Sequence, residues 1–132
     1  MREANRFANV SVVIIDDNDT TRAMLRAVLR SEGIEVVAEA KDGTAGVAAV
    51  RKLRPTLVCL DVMMPEVGGI EVLSQIKNEM PDVRVLMVTG STDRDTVQAA
   101  IQGGASGYLV KPFNSAKVIA SVEIALDRKK PD

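Results

Sequence analysis

The chain has 132 residues, 46% of them hydrophobic, with a formal net charge of -1 and no histidine. Its length suits one domain with a core that stands without disulfides, and its near-neutral charge does not point to nucleic acid or an anionic membrane as the partner. The absence of histidine removes histidine acid–base catalysis and every metal site that needs an imidazole.

The amino end, residues 1–9, carries Arg2, Glu3 and Arg6 and no long apolar stretch, so it reads as a short tail rather than a signal peptide or anchor. Val10 to Ile15 predicts a first strand, which delivers Asp16 and Asp17 at its end. Asp19-Thr20 then offers an N-cap, and Met24, Leu25, Val28 and Leu29 recur at helical spacing up to Gly33. Glu35 to Ala40 predicts a second strand, and Val47, Val50 and Leu53 mark a helix that stops before Pro55. Leu57 to Leu60 predicts a third strand ending at Asp61, followed by a loop over Met63 to Gly69. Ile70, Leu73 and Ile76 line the next helix, which ends before Pro81. Val83 to Val88 predicts a fourth strand ending at Thr89, and Val97, Ala100 and Ile101 are expected to face inward on a helix closed by Gly103-Gly104. Gly107 to Val110 predicts a fifth strand ending at Lys111, and Val118, Val122, Ala125 and Leu126 form the stripe of the last helix. Arg128-Lys129-Lys130 reads as a solvated helix end, and residues 128–132 as a tail, which leaves residues 10–127 as the domain.

Short runs of Val, Ile and Leu look like parallel strands covered on both faces, where no polar alternation is needed. Alternating with helices, they predict a doubly wound α/β domain. In such sheets ligands sit outside the carboxyl ends of the strands, so Asp16, Asp17, Asp61, Thr89 and Lys111 are expected at one edge. Alone, Asp16-Asp17 reads as an acidic turn and Asp61 as a strand end. Together they form a poor core and a good hard-cation site, since magnesium takes oxygen ligands and binds one or two carboxylates plus phosphate oxygens. An aspartate among them can also act as a nucleophile toward phosphorus. Lys111 and the Thr89 hydroxyl then offer the charge and the hydrogen bond that an aspartyl phosphate requires. Cys59 is the single cysteine; it reads as a small buried residue and suits a reducing cytoplasm. Met63, Met64, Met80 and Met87 scatter over loop, helix end and strand as gap-fillers.

Four motifs share this order: Val-Val-Ile-Ile-Asp-Asp-Asn (12–18), Leu-Asp-Val-Met-Met-Pro (60–65), Val-Thr-Gly (88–90) and Gly-Tyr-Leu-Val-Lys-Pro-Phe (107–113). In these the chain resembles the response-regulator receiver domains of two-component signalling, in their stand-alone chemotaxis form. The resemblance implies a flavodoxin-like, five-stranded parallel sheet of order 2-1-3-4-5. It also implies that Asp61 accepts a phosphoryl group from a histidine on a sensor histidine kinase or a histidine phosphotransfer protein. Asp17 would ligate Mg2+ directly, Asp16 through water, and Met63 through its main-chain carbonyl. Lys111 would pair with the phosphoryl group. Thr89 and Tyr108 would form the switch, and Pro112 would follow a cis peptide bond. Such a chain is a phosphoacceptor rather than an enzyme acting on other substrates, and it works in the cytoplasm on a protein target, not on nucleic acid or a membrane.

Two positions depart from the family's pattern. Gly68-Gly69 stands where the loop often carries Asp-Gly. Met63 stands where many stand-alone members carry Asn, beside the path of the hydrolytic water. Phe113 and Ile119 lie near the surface that receivers commonly use for partners. The other classes considered fit less well. A haloacid dehalogenase-type phosphatase wants an aspartate where Met63 stands and a cap insertion; a degenerate interaction module usually loses an acidic residue or the lysine. A flavodoxin wants a Ser/Thr-rich phosphate loop after the first strand.

Overall fold

The computed structural model describes residues 7–90 and 94–127, in which five strands alternate with five helices. They are β1 Ser11–Ile15, α1 Asp19–Ser31, β2 Glu35–Ala40, α2 Gly43–Leu53, β3 Leu57–Asp61, α3 Gly69–Glu79, β4 Arg84–Thr89, α4 Arg94–Gln102, β5 Gly107–Val110 and α5 Ser115–Ala125. All strand pairings are parallel and the order is β2-β1-β3-β4-β5, the flavodoxin-like arrangement expected.

The apolar runs are continuous because both sheet faces are covered, and successive side chains feed opposite layers. Val13, Ile15, Val58, Leu60, Val85 and Met87 pack under α2, α3 and α4, against residues such as Val47, Leu73 and Ala100. Val12, Ile14, Cys59, Leu86 and Val88 pack under α1 and α5, against Leu25, Leu29, Val118 and Val122. Burying Leu25 and Leu29 fully is worth about 1.5–3 kcal/mol each. That outweighs the ~1 kcal/mol typical of a helix cap, so packing rather than capping holds α1 in place.

Several details differ from the sequence reading. The N-cap of α1 is Asn18, whose side chain accepts from the Thr21 amide at 2.9 Å, and Asp19 is already helical. Ile101 does not face inward: it is 66% exposed, and α4 fully buries only Ala100. The four-residue β5 is the edge strand of the sheet, and among the described residues no further strand lies beyond it to cover the rest of the α4 stripe. Met24 and Leu53 are likewise exposed. Phe7, read as tail, is fully buried with Val10 and Ile34, because the chain turns back through a Val10 N–H to Phe7 carbonyl bond of 3.0 Å. Phe113 and Ile119 are half-buried against the layer beneath α1 and α5. Residues 1–6 and the basic Arg128-Lys129-Lys130 end lie outside the described residues. Among the described residues no helix is long and apolar enough to cross a membrane.

Candidate functional site

The carboxyl ends of β1, β3, β4 and the residue after β5 meet at one edge of the sheet. Register places them there: Asp61 of β3 pairs with Val88 of β4, and Thr89 pairs with Val110 of β5. The Lys111 amide continues the ladder by donating to the Thr89 carbonyl at 2.7 Å. Asp16, just past β1, is tied down by its own amide, which donates to the Ala40 carbonyl at 3.0 Å.

Asp16 and Asp61 are buried, at 1% and 3% exposure, while Asp17 faces solvent. One Asp16 oxygen, Oδ1, accepts from the Asn18 amide at 2.8 Å. The other, Oδ2, is buried without a hydrogen-bond partner and lies 3.5 Å from Lys111 Nζ. Asp61 Oδ1 accepts from the Met63 amide at 3.2 Å and lies 3.7 Å from the same ammonium. Both ammonium distances exceed the 2.7–2.9 Å of a close charge-assisted bond. Lys111 is therefore suspended between two carboxylates rather than committed to one.

An orphaned buried oxygen marks a place for a partner. One carboxylate oxygen from each of Asp16, Asp17 and Asp61 lies within 4.8 Å of the others. A hard cation with oxygen ligands at about 2.0–2.6 Å bridges opposed donors about 4–5 Å apart. The donor set, all oxygen and all anionic, fits such an ion. Without it the cluster is electrostatically costly: burial first, and then the charge of Asp16, push the Asp61 carboxyl up to about 7, although Lys111 and the Met63 amide pull it down.

The remaining residues fall around this centre. Thr89 is fully buried at the end of β4. Tyr108 is half-buried on β5, opposite Met87, and packs against the layer beneath α4. The Met63 side chain is 71% exposed, so its contribution to the site comes from main-chain atoms. The Lys111–Pro112 peptide is cis. Cys59 stands apart: burial pushes its thiol up to about 12, which leaves it no nucleophile.

Two contributors escaped the sequence. Gly69 starts α3 so close to the end of β3 that an added Cβ would lie 2.2 Å from the Asp61 carbonyl oxygen and 2.7 Å from Val62 Cα. Only the turn glycines hinted at this. Arg22 of α1 reaches back to donate to the Asp16 carbonyl at 2.7 Å. No periodicity reveals an arginine that turns from the solvent face toward a strand end.

Residues 12–123 match the family model described as the response regulator receiver domain. The chain is 34% identical over 116 residues to the chemotaxis protein CheY of Listeria monocytogenes, covering 88% of this chain and 98% of that protein. It is 38% identical over 117 residues to the DNA-binding response regulator MtrA of Mycobacterium tuberculosis, but there the match covers 89% of this chain and 50% of that protein. The CheX-CheY-BeF3-Mg complex of Borrelia burgdorferi has a similar fold, with a TM-score of 0.84 and 31% identity, over 86% of this chain and 87% of that one. The chain belongs to the response-regulator receiver family, and its relatives include chemotaxis CheY proteins matched along nearly their whole length.

Proposed function

We propose that this chain accepts a phosphoryl group on Asp61 from a phosphohistidine of a sensor histidine kinase or histidine phosphotransfer protein. It then changes conformation to control a partner protein in the cytoplasm. The observation that carries the reading is Asp61 itself: a buried carboxylate at a strand end, beside Lys111 and within a trio of carboxylates. A lone pair of an Asp61 oxygen forms the new O–P bond while the P–N bond of the donor breaks. The bonding electrons leave with the donor's imidazole, so this chain needs no histidine of its own.

The nucleophile reacts as carboxylate, and a carboxyl pushed up to about 7 must be helped to ionise near neutrality. Asp17, Asp61 and the Met63 carbonyl directly, and Asp16 through water, would hold magnesium, which would supply positive charge favouring ionisation of Asp61 and offsetting charge on the phosphoryl oxygens. The similarity to the CheX-CheY-BeF3-Mg complex supports that choice of ion. Lys111 lies near enough to follow the charge from the carboxylates to the phosphoryl oxygens. Thr89 donates its hydroxyl to the same oxygens, and its movement leaves space for the Tyr108 ring. A local gain of charge thereby becomes a packing change around β4, β5 and α5.

The test is beryllofluoride, a phosphoryl mimic, added with Mg2+ and followed by amide NMR. Wild type should show shifts that spread from Asp61 over residues 94–127. Thr89→Ala and Tyr108→Ala should still bind the mimic but respond less at the distant face. A wild-type pattern of shifts in both variants would remove Thr89 and Tyr108 from the switch.

A further inference from the structure

We infer that Arg22 is a positioning residue for the cation site: it fixes the turn between β1 and α1 so that Asp16 and Asp17 present their oxygens together. The inference rests on the metal-binding reading of Asp16, Asp17 and Asp61 given above. Its grounds are geometric. Asp16 is buried at the end of β1 and Asp17, the next residue, is exposed, so the turn that carries both acids lies at the edge of the core. The Arg22 guanidinium crosses this edge. Its Nη1 donates to the Asp16 carbonyl at 2.7 Å, its Nη2 pairs with Asp19, and its Nε lies 3.6 Å from Glu39 Oε1 on β2.

Glu39 is in turn held by Arg26, whose Nη1 lies 2.9 and 2.7 Å from its two oxygens. The guanidinium is thus a planar brace between the end of β2, the first turn of α1 and the turn that carries the acidic pair. At 15% side-chain exposure it is not a freely solvated arginine. A fork with three attachments restricts rotation in a way that a single ammonium cannot. Groups that orient metal ligands from behind typically change metal affinity by about 10–100-fold when removed.

The sign of the effect separates positioning from charge. Arg22 is a cation beside a cation site, so removing only its charge would tighten Mg2+ binding. Removing a brace would loosen it. Arg22→Met keeps the half-buried stem and deletes the guanidinium. Its Mg2+ Kd, read by NMR titration of the Asn18 and Met63 amides with MgCl2, should rise about tenfold.

Arg22→Lys retains the charge and the stem with fewer attachments, and it serves if the methionine variant does not fold. Its Kd should rise, but by less than the roughly tenfold expected from losing every attachment. Unfolding in EDTA provides the control, because a merely structural role would lower stability with Kd unchanged. An unchanged or lower Kd in whichever variant folds overturns the inference. A wild-type protein with no saturable Mg2+ response would instead overturn the metal-site reading beneath it.

Discussion

Asp61→Asn should stabilise the metal-free protein, and by an amount that grows with pH. The folded Asp61 carboxyl sits at about 7 against an ordinary 3.8, chiefly because it is buried and secondly because Asp16 is close. A folded pKa above the unfolded one gives a contribution that is fully present below about 3.8 and is lost as pH rises toward 7. At about 1.36 kcal/mol for each pH unit between the two values, discounted for solvent that screens the open side of the site, ionising Asp61 costs the fold roughly 2–4 kcal/mol. The favourable pull of Lys111 is already contained in that figure. Asparagine keeps the oxygen that accepts from the Met63 amide, yet carries no charge to desolvate. Urea unfolding followed by circular dichroism in EDTA, from pH 4.5 to pH 8, would compare the two proteins. The gap in favour of Asp61→Asn should be small at the acid end and reach roughly 2–4 kcal/mol above pH 7. It should spread over more than one pH unit, since Asp61 shares its titration with Asp16. Parallel stability curves, with a gap independent of pH, would refute the reasoning.

Magnesium should remove the same cost from the wild type. At about a hundred times its Kd the ion should add roughly 2.7 kcal/mol, a rise in Tm on the order of 10 °C for a domain of this size. A melt indifferent to Mg2+ would count against the site. Asp16→Asn should stabilise the metal-free protein near neutral pH, because Asp16 is the second cause of the Asp61 shift. The same variant should weaken Mg2+ binding about tenfold or more in an NMR titration. Gly69→Ala should destabilise by about 1–3 kcal/mol despite the better helix propensity of alanine, because the added Cβ meets backbone rather than a side chain that can move. A urea midpoint at or above that of wild type would show that the β3–α3 turn relaxes freely.

β2 mixes Glu35 and Glu39 into its run and ends at Ala40, whereas the other four strands were legible because each is a largely apolar run with a polar residue at its carboxyl end. That same placement brings Asp16, Asp61 and Lys111 within ion-pair distance. Strand order was not readable from spacing, since parallel crossovers leave no trace of which neighbour a strand will choose; it entered through the motifs. Phe7 was lost because one aromatic in a polar stretch has no period, and only the turn that folds it under β1 gives it a core. Ile101 was misplaced for the opposite reason: its spacing is helical, but α4 lies over a sheet edge too narrow to cover the whole stripe. Arg22 and Gly69 depend on close approach between segments, which a linear pattern does not encode.

The central claim is that Asp61 takes up a phosphoryl group through groups that this chain supplies. Intact-mass spectrometry of the purified protein with acetyl phosphate tests it most directly, because no partner kinase is needed. With Mg2+ the wild type should gain the mass of one phosphoryl group, and omitting the ion should abolish the gain. Asp61→Asn should show no adduct under either condition. A full yield of adduct on Asp61→Asn, or on wild type in excess EDTA, would contradict the account.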